Sequence, residues 1–132
     1  MTIVDVANQL SEQLGQNIQV HEDCIYLSGE QDDHVACLQI GANDGHLYFS
    51  APVIKIATED VSSECLQALL ELNGDSKNYP EARIAFNPLT ESAEWIERCD
   101  VDSNAQQLVA LIQARGVLIG KMQQALATVN GA

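Results

Sequence analysis

Ser62-Ser63-Glu64-Cys65-Leu66-Gln67-Ala68-Leu69-Leu70-Glu71-Leu72-Asn73-Gly74 reads as one short helix with more apolar surface than one neighbour can cover. At about 100° per residue, Leu72, Cys65, Leu69, Leu66 and Leu70, with Ala68 at the edge, sweep roughly 200°, about twice the stripe that packing on one core requires. The excess demands a second partner. Glu59 and Asp60 place negative charge at the start of this helix, complementing its dipole, and Gly74 stands at the C′ position.

Upstream, Thr2 and Asp5 have the spacing of a capping box, and Ile3, Val6, Ala7, Leu10 and Leu14 share one helical face before Gly15 ends the run. Three strand candidates follow, at 24–28, 34–40 and 46–56, the last two joined by Asn43-Asp44-Gly45, a hairpin signal; they predict an antiparallel meander. Pro52 cannot donate a ladder hydrogen bond, so it marks an edge, a bulge or the strand's end. Downstream, a polar loop over 75–81 leads to strands near 82–87 and 92–101, separated by Asn87-Pro88-Leu89-Thr90 and forming a second hairpin. Ser103 with Gln106 opens a last helix, along which Leu108, Leu111, Ile112, Leu118, Ile119, Met122, Leu126 and Val129 recur at helical spacing. The expected fold is α+β in the order α-βββ-α-ββ-α, a twisted antiparallel sheet packed with helices.

Six Lys and Arg stand against nineteen Asp and Glu, a formal net charge of -13. Such a surface repels nucleic acid phosphates and anionic membranes, which excludes both as ligands. With 46% hydrophobic residues the chain is too apolar for an acidic disordered segment, and 132 residues without a composition shift predict a single domain over 1–132. No run approaches the ~20 apolar residues of a membrane span, and Thr2-Ile3-Val4-Asp5 lacks the basic start of an export signal, so a cytoplasmic location is expected. Cys24, Cys37, Cys65 and Cys99 are scattered through apolar patterns, which predicts reduced thiols.

His21-x-x-Cys24 and His34-x-x-Cys37 repeat one spacing and suggest a zinc site with two His and two Cys, or a small redox protein. Residues three apart on a strand point to opposite faces, so His34 and Cys37 do not converge, and no metal is expected. The acidic run Glu30-Gln31-Asp32-Asp33 lacks calcium-loop spacing and reads as a solvated turn. No nucleophile elbow, phosphate-cradling glycine loop or His-Glu-x-x-His is present, so no catalytic residue and no cofactor is assigned and an enzyme is not expected. Arg115 lies in the apolar stripe of the last helix, where its guanidinium either escapes at the core's edge or pairs with a carboxylate at an interface. Gly116-Val117-Leu118-Ile119-Gly120 predicts close packing of that helix or a bend. Trp95, on a strand with Glu94, Glu97 and Arg98, belongs either to the core or to an interface.

The order of elements, the size, the acidity and the helix ending Leu69-Leu70-Glu71-Leu72-Asn73 together resemble class I type III secretion chaperones, the Tir-chaperone-like family. The sequence departs from that pattern at Ala57-Thr58, where a glycine and a proline commonly stand. The resemblance implies a non-enzymatic cytosolic homodimer that binds an N-terminal segment of a secreted effector in extended form, keeps it soluble and export-competent, and meets the secretion apparatus. A bacterial sensory-transduction-regulator-like protein-binding domain shares much of this architecture and is the alternative. On the chaperone reading, Leu66, Leu69, Leu70 and Trp95 are candidate dimer-interface residues, and Val6, Leu10, Ile25 and Leu27 are candidate partner-binding residues, some of which must close the core.

Overall fold

The structure, a computed structural model, describes residues 2–15, 18–28, 35–41, 44–56, 61–75, 77–99 and 105–129. Helix α1 (Ile3–Leu14) precedes strands β1 (Val20–His21), β2 (Cys24–Ser28), β3 (Val35–Ile40) and β4 (Leu47–Lys55). Helix α2 (Ser63–Asn73), strands β5 (Ala82–Asn87) and β6 (Ser92–Cys99), and helix α3 (Ala105–Val129) complete the chain. Glu30-Gln31-Asp32-Asp33, His34, Asn43, Ala57-Thr58, Glu59, Asp60, Val101 and Ser103 lie outside the described residues.

The capping box of α1 is in place: Thr2 Oγ1 accepts from the Asp5 N–H at 3.2 Å, and Asp5 Oδ2 accepts from the Thr2 N–H at 3.0 Å. Gly15 ends the helix in the left-handed conformation that glycine adopts without strain. At α2, Ser62 is the N-cap, its hydroxyl accepting from the Cys65 N–H. Gly74 stands where the sequence places the stop, but with φ -82° it remains right-handed, so its conformational freedom is not what ends the helix.

All strands pair antiparallel in one six-stranded sheet of order β1-β2-β3-β4-β6-β5. The expected meander is β2-β3-β4, and the second hairpin enters with β6 against β4, leaving β5 at the edge. β1 is an addition to the expected order. Two residues are too few to show a period, and its turn, Glu22-Asp23, takes positive φ at both positions (53° and 61°) without the glycine or asparagine that usually signals a primed turn. Pro52 sits where pairing to β3 has already ended, since that ladder stops at Ser50; its missing N–H costs nothing there. Val53 is the extra residue of a bulge between the pairs Pro52↔Glu94 and Ile54↔Ala93.

One face of the sheet carries the core. Ile25, Leu38, Leu47, Phe49, Ala51, Trp95 and Cys99 join Ile3, Val6, Ala7 and Leu10 of α1, Cys65 and Leu69 of α2, and Leu108, Ile119, Met122 and Leu126 of α3. α1 packs over the β1–β2 end, α2 over β5, and α3 lies between them against β4. A Cβ built at Gly116 or Gly120 meets nothing within 4 Å, so these glycines do not mark the expected close approach. A tight approach outside that expectation lies at Gly41: its Cβ would stand 2.5 Å from Asp44 Oδ1 in the turn where Tyr48 donates to the same carboxylate.

Candidate functional site

Large apolar side chains remain on the surface at both ends of the sheet. At the β5 end, Leu66 and Leu70 lie one turn apart on α2, with Leu70 71% exposed. Phe86 stands exposed on β5, the strand on which α2 packs, and Leu89 is 93% exposed at the tip of the β5–β6 turn. That turn is fixed locally, Asn87 Oδ1 accepting from the Leu89 N–H at 3.0 Å, so Leu89 is held outward. Here the 200° arc of α2 is resolved. Its centre, Cys65 and Leu69, is core; one flank, Ala68 and Leu72, turns toward α3; the other, Leu66 and Leu70, meets no other part of the described chain closely enough to be covered.

Asn73 performs a separate task at this end. Its Oδ1 accepts from the Ile84 N–H at 2.8 Å, tying the last residue of α2 to the outward edge of β5. An edge strand with free N–H groups invites pairing with other chains, and this side chain occupies one of them.

At the opposite end, Val4 and Leu14 of α1 and Tyr26 of β2 are exposed, and Leu27 is half-buried. β1 pairs only with Cys24 and Ile25, so Tyr26, Leu27 and Ser28 have no strand partner on that side among the described residues. The structure closes Val6, Leu10 and Ile25 into the core, each at 1% exposure or less. This corrects their expected partner-binding role. Of the four residues, Leu27 is the one still open to a partner.

The dimer-interface expectation divides in the same way. Leu66 and Leu70 are exposed, whereas Leu69, at 6%, and Trp95, at 1%, are core residues of the single chain. The reason for Trp95 is Glu97, two residues on and therefore on the same face of β6. Trp95 Nε1 donates to Glu97 Oε1 at 3.0 Å, and Arg115 of α3 closes the carboxylate from above, Nε to Oε1 at 2.5 Å and Nη2 to Oε2 at 2.8 Å. Tyr79 completes the group, edge-on to Trp95 with ring centroids 5.2 Å apart and beneath the Arg115 guanidinium at 5.1 Å. The hydrogen bonds to Glu97 hold the Arg115 pKa above its ordinary value. Arg115 therefore pairs with a carboxylate, as one of its two readings had it, but inside the chain.

The four cysteines are free thiols. Burial pushes Cys99 up to about 11, with Glu97 adding to the rise, and pushes Cys37 up to about 12, with Cys24 adding to it. Thiols so placed are poor nucleophiles at neutral pH. Of the His-x-x-Cys pairs, the first has His21 against the Tyr26 ring, 6.4 Å between centroids, and Cys24 buried. The second includes His34, outside the described residues. Among the described residues no cluster of three His, Cys, Asp or Glu is placed to hold a metal, and no helix is long and apolar enough to cross a membrane.

No protein-family model matches the sequence, and no curated protein matches it. Solved structures do. The crystal structure of the ExsC–ExsE complex contains a chain with TM-score 0.76 and 14% identity, the match covering 92% of this chain and 91% of that one. The HopA1–SchA chaperone–effector complex contains another, with TM-score 0.72 and 8% identity, covering 92% of each chain. At such identity the likeness establishes architecture, and over nine-tenths of its length this chain has the α+β fold of a chain found in a chaperone–effector complex.

Proposed function

We propose that this protein is a type III secretion chaperone: a cytoplasmic, non-enzymatic homodimer that binds an N-terminal segment of a secreted effector in extended form and keeps it soluble and export-competent. The observation that carries the reading is the separation of two apolar surfaces to opposite ends of a sheet with a chaperone-complex fold. Leu66, Leu70, Phe86 and Leu89 suit a second copy, because a two-fold contact buries the same patch on both chains and leaves no growing edge. The β2 end suits the effector, because an extended segment takes its affinity from backbone pairing at a strand edge and from alternate side chains in apolar recesses. Tyr26 to Ser28 offer the edge, and Leu27, Val4 and Leu14 the apolar contacts. A net charge of -13 keeps a protein with such surfaces dispersed.

Purification from the native source, with identification of the bound protein, tests the reading. A secreted protein held through its N-terminal segment is the expected result, and Leu27→Glu releases it while the circular-dichroism spectrum and the dimer mass stay unchanged. Apolar burial survives screening, so the complex persists at about 0.5 M salt. A preparation in which no secreted protein is captured, or one returning the mass of a single 14.3 kDa chain, overturns the corresponding half of the proposal.

A further inference from the structure

The flank of α2 turned away from Leu66 and Leu70 does not close fully on α3. Between the two helices lies an open cavity of ≈ 470 Å³, with Ala68 and Leu72 on one wall and Met122, Ala125 and Leu126 on the other. Met122 and Leu126 are buried and form the floor, and Ala125 is exposed at the rim. Among the described residues two charged ones line it, and both are carboxylates, Glu71 and Asp75. Asp75 already receives the Asn78 side-chain amide at 3.1 and 3.2 Å, which holds its carboxylate in place. Among the described residues no Lys or Arg lines the cavity.

We propose that this groove docks an amphipathic segment of a partner protein, its apolar side chains against Ala68, Leu72 and Ala125 above the buried floor, and a Lys or Arg beside Glu71 and Asp75. The volume is that of a pocket for a few side chains, and an apolar floor without convergent polar groups selects shape and greasiness rather than a small polar ligand. Charge selects the partner. A second copy of this chain, with nineteen acidic residues against six basic ones, brings mostly like charge to Glu71 and Asp75, whereas a basic segment is drawn there. The site rests on the protein-binding reading above but lies on the other flank of α2 from the proposed dimer contact, so both can be occupied together.

The probe is a synthetic amphipathic peptide of Leu and Lys, set against a twin with each Lys replaced by Glu. Each is titrated into the isotope-labelled full chain and followed by amide chemical shifts. The Lys peptide shifts Ala68, Leu72 and Ala125 saturably, binds about tenfold tighter than its twin, and weakens several-fold between about 0.05 and 0.5 M salt. Glu71→Gln lowers its affinity about threefold. Ala125→Trp fills the groove from an exposed position and abolishes binding without changing the dimer mass. Equal binding of the twin, shifts centred on Leu66 and Leu70, no shift at all, or loss of the dimer in the Ala125→Trp protein each overturns the proposal. Capture of an effector by the unaltered chain is read separately through the Leu27→Glu variant, so failure here and failure of the chaperone role are distinguishable.

Discussion

The Trp95–Glu97–Arg115 group and the Leu66–Leu70 flank pose the same question from sequence, since each puts side chains where one core has no obvious use for them. They receive opposite answers. The charge on α3 finds its carboxylate within the chain, and the lone tryptophan finds an acceptor for its N–H two residues away. The leucines find nothing and stay in solvent. A side chain out of keeping with its element therefore signals a partner, and only the strand order tells whether that partner is inside or outside the molecule.

The comparison breaks first at two adjacent leucines. Leu69→Asp places an unpaired charge in the core, at a cost of several kcal/mol, and leaves no folded chain at 25 °C. Leu70→Asp touches a residue that is 71% exposed; the chain keeps its spectrum and melts cooperatively, but sediments as a monomer. If the two variants behave alike, either both unfolded or both dimeric, the division of α2 into a core centre and the proposed interface flank is wrong.

Next in size is the internal pair. Arg115→Leu strips the buried Glu97 of its bidentate partner and costs about 3 kcal/mol, seen as a lower denaturant midpoint with the sedimenting mass unchanged at low denaturant. Adding Glu97→Gln, which removes the stranded charge yet still accepts from Trp95, restores most of the loss. A double variant no more stable than Arg115→Leu alone places the cost in lost packing of the arginine stem instead.

Much of this arrangement was legible in the sequence. The capping box of α1, the β2-β3-β4 meander, the β5–β6 hairpin and the extent of α2 follow from periodicity and turn residues, because those signals act over a few residues; which part of the α2 arc is core does not, and Leu69, expected at the interface, is buried in the single chain. What remained illegible depends on contacts far along the chain. Val6, Leu10 and Ile25 form an apolar face that reads the same whether α1 covers it or an effector does, and only the seating of α1 over β2 decides for the core. Glu97 lies 18 residues from Arg115, and the nearby Glu94 and Arg98 suggest solvent. One local signal was there to be used: Glu97 shares the face of Trp95, so a buried tryptophan predicts a buried glutamate.

Asn73→Ala sharpens the contrast at smaller scale. It leaves the Ile84 N–H to water at the edge of β5 and costs about 1 kcal/mol. The loss appears in the unfolding midpoint, and amide exchange at Ile84 rises while exchange in β3 does not.

Near neutral pH the smallest effect comes from protons; it grows above pH 9 and reaches the inner group through Cys99. In the folded chain burial and the nearby Glu97 hold this thiol at about 11, against an ordinary value of 9.0 for thiols. On unfolding it loses both influences, so between about pH 9 and 11 the unfolded chain has released a proton that the folded chain still holds. Stability is therefore fully present below pH 9 and falls as pH rises through that window. Cys37, raised to about 12, adds a fall of the same sign that extends further, and Tyr48, raised by its hydrogen bond to Asp44, adds another. Urea midpoints measured from pH 8 to 11 should decline. Cys99→Ala should remove part of the slope, and Glu97→Gln, by taking away the charge that helps raise the thiol, should make the remaining Cys99 contribution shallower. A Cys99→Ala protein with an unchanged slope assigns the alkaline loss to Cys37 and the tyrosines, and separates the inner group from the pH response altogether.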